Sequence, residues 1–206
     1  MFDDRLDAAR QLAGPLDHLK PARPLVLAIP RGAVPMARHL AQALQGDLDV
    51  VLVRKLGAPG EPEVAVGAVD ESGWVWVAPY AARLGADAHY LEAEAARQLE
   101  RIRERRRRYS PIRAPQSAGG RTVIVVDDGL ATGATMTAAL HSLRQQKPAR
   151  LVCAVPVASR EALALVRPLA DEVVCLLAPE HFQAVGQFYR EFPQVTDDEV
   201  EALLRG

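Results

Sequence analysis

Two aspartates, Asp127 and Asp128, stand side by side directly after the apolar run Val123-Ile-Val-Val126. Adjacent carboxylates at the end of a buried strand repel each other unless donors such as hydroxyls, or a cation, meet them. A few residues on, Ala131-Thr132-Gly133-Ala134-Thr135 holds only small and hydroxylated residues before a helical pattern begins. Such a loop lets backbone N–H groups and a helix N-terminus converge on an anion such as phosphate. The segment therefore offers acceptors for vicinal hydroxyls beside a phosphate cradle, the two features a ribose 5-phosphate needs. It contains neither GxxxxGK[ST] nor GxGxxG, so it is not a Walker loop or a dinucleotide fingerprint.

The whole string from Val123 to Met136, Val-Ile-Val-Val-Asp-Asp-Gly-Leu-Ala-Thr-Gly-Ala-Thr-Met, resembles the phosphoribosyl-pyrophosphate (PRPP) signature of type I phosphoribosyltransferases. Two further segments extend the likeness, which covers roughly residues 23 to 178. Ile29-Pro30-Arg31-Gly32-Ala33 stands where that family has a pyrophosphate loop after its first core strand, and Gly32 would permit close backbone approach. Val51-Leu-Val-Arg54-Lys55-Leu-Gly57 is similar to the family's Arg-Lys pair leading into a flexible catalytic loop.

The resemblance implies transfer of a 5-phosphoribosyl group from PRPP to a nitrogen of a nucleobase or related acceptor, with release of pyrophosphate. On that reading Asp127 and Asp128 hold the ribose hydroxyls, while Ala131, Thr132, Gly133, Ala134 and Thr135 bind the 5′-phosphate. Pro30, Arg31, Gly32, Arg54 and Lys55 bind pyrophosphate, and Asp127, Asp128, Lys55 and Glu63 form the catalytic set. Mg²⁺ has no direct protein ligand in this reading and rides on PRPP near Asp127 and Asp128, since it favours substrate phosphates over all-protein cages.

The acceptor is less legible. Hypoxanthine-guanine enzymes of the family carry an Asp where this chain has Ala131, and Ala-Thr-Gly is closer to the adenine enzymes. The tyrosine-containing loop of that subfamily has no counterpart in Gly60-Glu-Pro-Glu-Val-Ala-Val-Gly67. Glu61 and Glu63 are the nearby candidates for a general acid or base. Residues 58–118 and 179–206 are expected to form the insert and hood that read the acceptor. Phe182 either stacks on a base or anchors the C-terminal segment, and His181 beside it is either a pocket residue or a surface cap. Trp74 and Trp76 alternate on a strand and so share a face, which would cover a long helix or a partner subunit.

These residues need a scaffold. With 206 residues, 49% hydrophobic and 25% charged, the chain has a globular composition, and its length favours one elaborated domain over two. Short apolar runs at 25–29, 49–54, 123–126, 151–155 and 173–177 alternate with helical patterns, which predicts an α/β fold with a largely parallel sheet covered on both faces. The core would span about 20–57 and 121–178. An amphipathic helix is expected over 3–19 on the outside of the domain, a mobile Gly/Pro-rich loop at 57–62, a hairpin over 64–77 and a long helix from Asp87 to Tyr109. Cys153 and Cys175, each alone in an apolar run, read as core residues. The acidic start Met1-Phe2-Asp3-Asp4-Arg5 and the lack of a long apolar run point to a cytoplasmic protein without a membrane partner.

Residues 97–113 carry eight arginines against Glu100 and Glu104. The alternative function is a PRPP-sensing regulator of the same fold that binds RNA or DNA through this segment. Pairing with the two glutamates favours a solvated face over a nucleic-acid surface. A PRPP-dependent enzyme with a nonstandard acceptor is a third reading, and family members commonly dimerise.

Overall fold

Strands that are apolar on both faces need cover on both, and the chain provides it by alternating them with helices. The computed structural model describes residues 1–205. In chain order its elements are α1 (Arg5–Leu16), β1 (Leu25–Ala28), α2 (Val34–Ala43), β2 (Asp47–Val50), β3 (Val53–Ala58), β4 (Glu61–Asp70), β5 (Val75–Val77), α3 (Ala88–Tyr109), β6 (Thr122–Val126), α4 (Ala134–Gln145), β7 (Arg150–Val157), α5 (Arg160–Val166), β8 (Glu172–Leu177) and α6 (Asp197–Arg205).

Five strands form a parallel sheet in the order β2-β1-β6-β7-β8. On one face Val26, Ala28, Ile124, Val126, Val152 and Ala154 pack with Leu12 and Leu16 of α1 and Met36 and Leu40 of α2. On the other, Leu25, Leu27, Val123, Val125, Leu151 and Cys153 meet Met136, Leu140 and Leu143 of α4 and Leu163 and Val166 of α5. Cys153 is buried and Cys175 half-buried. The chain leaves β1 toward one sheet edge and β6 toward the other, so a topological switch point lies between these central neighbours. In open α/β sheets that crevice, outside the carboxyl ends of the strands, is where ligands bind.

The expected strand over 49–54 divides into two. β2 ends at Val50, and after Val51 and Leu52 the chain starts β3 in a separate antiparallel sheet of order β3-β4-β5. The core thus ends near residue 52 rather than 57. An unbroken apolar run carries no mark of where a strand changes sheets.

The expected mobile loop at 57–62 is instead the closed end of the β3–β4 hairpin. The ladder shifts register around Gly57, where a Cβ would lie 2.6 Å from the Pro62 carbonyl oxygen. Only glycine admits that approach. β5 pairs with β4 at Gly67–Val69 only, so Pro62 faces no ladder on that side and its missing N–H costs nothing. The Tyr90 hydroxyl donates to the Gly57 carbonyl at 2.7 Å and ties the hairpin to α3.

The small sheet lies between α3 and α4. Trp74 and Trp76 do share a face, but it covers α4 rather than α3: Trp74 stacks on His141, ring centres 3.5 Å apart and planes within 10°. α1 lies on the main sheet beside α2 instead of on the outside, with Ala8, Ala9, Leu12 and Leu16 buried. The first residues are stitched to the C-terminal segment, where the Phe2 amide donates to the Phe188 carbonyl at 2.8 Å and the Arg190 amide to Phe2 at 2.9 Å.

The stacked pair anchors the small sheet to the core. Trp74→Ala is therefore expected to lower unfolding free energy by about 2–3 kcal/mol, measured by urea denaturation; a loss below about 0.5 kcal/mol would mean that α4 does not hold this sheet.

Candidate functional site

β1 and β6 run in register, Ala28 opposite Val126, so the segments that follow them emerge together. After β6 come Asp127 and Asp128; after β1 come Pro30, Arg31 and Gly32, the Pro30–Arg31 peptide being cis. Contact between them is direct. A Cβ on Gly32 would lie 2.1 Å from Asp128 Oδ2 and 3.2 Å from Arg5 Nη2. Any side chain at position 32 would displace the Asp128 carboxylate.

That carboxylate is held from an unexpected direction. Nε and Nη2 of Arg5, the first residue of α1, both lie 2.9 Å from Asp128 Oδ2. Arg5 Nη1 donates to the Pro193 carbonyl at 2.6 Å, and the guanidinium sits 3.8 Å from the centre of the Phe192 ring. The Tyr189 hydroxyl donates to the Asp128 carbonyl at 2.6 Å. Val185 packs so closely on Gly129 that a Cβ there would lie 2.6 Å from it. The C-terminal segment thus braces the diacid turn from beneath.

The two carboxylates differ electrostatically. Asp127 accepts the Asp128 amide at 2.9 Å and has no ion-pair partner among the described residues. Burial first, then the charge of Asp128, raise its pKa well above the usual 3.8. Burial also raises Asp128, while Arg5 draws it down. Asp127 is the carboxylate of the pair still lacking a cation.

The loop between Asp128 and α4 closes on a glycine cap. Gly133 caps α4 at φ +77°, a left-handed conformation that glycine adopts without strain, and its Cα faces Ala162 closely. Ser159 fixes the loop from α5, its hydroxyl donating to the Ala131 carbonyl at 2.7 Å. Thr132 is exposed, with its Oγ1 accepting the Ala134 amide at 3.4 Å. The first-turn N–H groups of a helix have no intrahelical acceptor, so the start of α4 presents donors to an anion.

Beside this loop opens a cavity of about 520 Å³ whose lining includes Ala131, Thr132, Trp76, Tyr80, Phe182 and Glu161. Phe182 lines this cavity and packs on Phe188, ring centres 5.3 Å apart, in the C-terminal segment. His181 is exposed and is not among the lining residues, its carbonyl accepting from Gln187. Trp76, Tyr80 and Glu161 were not foreseen as pocket residues. The Trp74/Trp76 alternation was the available signal for Trp76.

The Arg-Lys pair separates, because successive strand residues point to opposite faces. Arg54 turns to α3, donating to Gln98 Oε1 at 2.6 Å. Lys55 shares the other face with Ala68 and Trp76, its register neighbours, and reaches Glu63 at 2.8 Å. Glu63 itself is 92% exposed, and its hydrogen bond with Lys55 holds its carboxyl below the usual range. That is far from the near-neutral values suited to acid–base work. Arg31 Nη1 lies 3.5 Å from Asp197.

The Arg-rich face of α3 is not uniformly solvated. Arg105 pairs with Asp197, Arg106 with Glu71, and Arg108 with Asp198 and Glu201. No helix among the described residues is long and apolar enough to cross a membrane.

Comparison with known proteins places this arrangement. Proteins from two strains of Mycobacterium tuberculosis named for phosphoribosyl transfer are 44% identical over 205 residues, 99% of this chain, and the chain spans 46% of their length. The crystal structure of a Thermus thermophilus protein superposes with a TM-score of 0.83 at 51% identity, covering 100% of this chain and 98% of that one. The family model described as phosphoribosyl transferase domain matches residues 3–193. The chain, with its diacid turn and phosphate loop at the switch point of a parallel sheet, belongs to the phosphoribosyl transferase domain family.

Proposed function

We propose that this chain transfers the 5-phosphoribosyl group of PRPP to a ring nitrogen of a planar acceptor, releasing pyrophosphate. The observation that carries the reading is the approach of Gly32 to Asp128 Oδ2. It joins the pyrophosphate loop and the ribose-binding diacid in one crevice, as a substrate with pyrophosphate on the anomeric carbon requires.

In this reading the domain acts as one unit. Asp127 and Asp128 accept hydrogen bonds from the 2′ and 3′ hydroxyls, each charge-assisted bond contributing about 1.5–3 kcal/mol. Backbone N–H groups of Thr132 to Thr135 and the two Thr hydroxyls hold the 5′-phosphate. The acceptor nitrogen bonds to the anomeric carbon as the bond to pyrophosphate oxygen breaks, and that electron pair leaves on pyrophosphate. Positive charge develops on the ribose ring meanwhile, as in glycoside hydrolysis. Arg31, with Arg54, meets the departing charge. Lys55, on the Trp76 face of the hairpin, would approach the site from that side.

The fit to Mg²⁺ rests on Asp127, a half-buried carboxylate without an ion-pair partner among the described residues. Its hard oxygen suits a hydrated Mg²⁺ carried on substrate phosphates. Asp127 and Asp128 would hold the ion through its waters, and the ion would neutralise pyrophosphate charge. Trp76, Tyr80 and Phe182 suit a flat heterocycle, since aromatic faces stack in offset contact. Glu161 is the carboxylate lining that cavity and the better-placed proton acceptor, in preference to Glu63. Such a reaction belongs to nucleotide metabolism. The regulator alternative has less support, because Arg106 and Arg108 are engaged within the chain and Arg103 and Arg107 pair with Glu100.

Calorimetric titration with PRPP and Mg²⁺, followed by a pyrophosphate-release screen over purines, pyrimidines and other nitrogen heterocycles, tests the proposal. Saturable binding with acceptor-dependent release is expected. Binding without release by any acceptor would favour a sensor, and absence of binding would remove the site assignment.

Asp127→Asn should weaken PRPP binding about 100-fold, the loss of one charge-assisted bond near the upper end of its range. It should also stabilise the ligand-free protein. Because the folded pKa of Asp127 is raised, the folded chain binds a proton more readily than the unfolded chain. Stability therefore increases as pH falls from neutrality through the folded pKa, and the gain is complete below the unfolded value near 3.8. Asp127→Asn should flatten that slope and raise stability at pH 7, read by thermal melts across pH. An unchanged slope would mean that Asp127 titrates normally.

Arg5→Ala leaves Asp128 buried without its cation and should cost about 3–5 kcal/mol. Adding Asp128→Asn should recover most of that loss. Equal losses in the single and double variants would show that Arg5 acts through packing on Phe192 alone.

A further inference from the structure

Arg101 and Arg105 of α3 have no role in the reading above. With Arg54 and Arg108 they line an open cavity of about 350 Å³ between β3, α3 and the start of α6, whose lining also carries Glu104 and Asp197. Arg31 reaches the same place through Asp197.

Positive charge gathered this closely is unfavourable unless an anion offsets it. Burial first, then the charges of Arg105, Arg101 and Arg31, hold the Arg54 guanidinium below its usual range. Compensation is uneven. Arg108 is matched by Asp198 and Glu201, but Arg54 donates to a neutral amide oxygen, that of Gln98. Arg101 has no hydrogen bond or ion pair with a described residue. Asp197 is shared: it accepts the Tyr109 hydroxyl at 2.7 Å and stands 3.5 Å from Arg31, 3.5 Å from Arg105 and 3.9 Å from Arg108. Four arginines face Glu104 and Asp197 in the lining, with Glu94 also acting on Arg54, so guanidinium charge is in excess where the oxygens of an anionic ligand would find donors.

We propose that this cavity binds a small oligophosphate, a pyrophosphate or triphosphate group, through Arg54, Arg101 and Arg105, with Asp197 as the internal carboxylate competing for the same cations. Several planar guanidinium forks at separate positions match several phosphate oxygens better than one carboxylate does. Concavity favours a small ligand over a nucleic-acid strand. Arg103 and Arg107, on the outer side of the helix, are drawn to Glu100 at 3.6 and 3.2 Å. The inference stands on the cavity and not on the transferase reading, although Arg31 and Arg54 are common to both.

Calorimetric titration of the full chain with inorganic tripolyphosphate in about 0.15 M salt tests it, with thermal melts to confirm folding of each variant. Saturable binding is expected, weakened at least about tenfold by Arg101→Gln with Arg105→Gln. Asp197→Asn should tighten it severalfold, and Asp127→Asn should leave it unchanged. The inference is overturned by absence of binding to the folded wild-type chain, by equal affinity in the double arginine variant, or by tighter binding in Asp127→Asn, which would put the anion beside that carboxylate in the PRPP crevice. Arginine-dependent binding of single-stranded RNA that tripolyphosphate does not displace would overturn it as well. Loss of PRPP binding with tripolyphosphate binding intact would remove the transferase reading and leave this one standing.

Discussion

Two neighbouring carboxylates at the end of a buried strand are the constraint around which the rest of this molecule is arranged. At about 4 Å in a partly buried setting, like charges repel by roughly 4 kcal/mol. The fold meets the problem asymmetrically. Asp128 receives Arg5 from a helix 123 residues earlier in the sequence, while Asp127 has no ion-pair partner among the described residues. Gly32, which has no side chain to displace Asp128, lets the loop after β1 close over the pair. In the proposed reading that remaining charge is available to a ligand, and functional sites are a common location for stored instability.

Bracing the diacid draws distant segments together. Phe2 pairs with the segment around Tyr189, Tyr189 holds the Asp128 carbonyl, and Phe192 lies under the Arg5 guanidinium. The two chain ends are thus part of the site's support. The hairpin sheet serves the opposite side. It is fixed to α4 by Trp74, so Trp76 faces the cavity next to the phosphate loop. Both supports converge on the crevice between β1 and β6 and leave the loop backbones free to meet a ligand.

Charge on the far side of β3 follows a separate logic. Arg54 and Lys55, adjacent in sequence, serve different faces of the small sheet, and the one facing α3 joins a concentration of arginines. The helix that read as a uniformly basic face is divided. Arg106 and Arg108 are compensated within the chain, Arg103 and Arg107 lean on Glu100, and Arg101 and Arg105 border a cavity.

Short-range information sufficed for much of this protein. The alternation of apolar runs with helical patterns implied a covered parallel sheet. The run from Val123 to Met136 carried its chemistry in consecutive residues, because a strand end, a diacid turn and a phosphate loop are all local devices. The hairpin turn at Asp70 and the long helix capped by Asp87 were legible for the same reason. Other features depended on partners far away in the chain. The division of the run from Asp49 to Arg54 between two sheets, the closure of 57–62 into a hairpin, and the turning of the two tryptophans toward α4 are settled by what packs against them. Arg5 is the clearest case. A cation in the first turn opposes the helix dipole, a hint of an outside partner but not of which one, and that partner lies 123 residues away. Residue types and local spacing determined which chemistry was available; only tertiary packing decided which charges meet, because a Coulomb interaction depends on distance in space and not on separation along the chain.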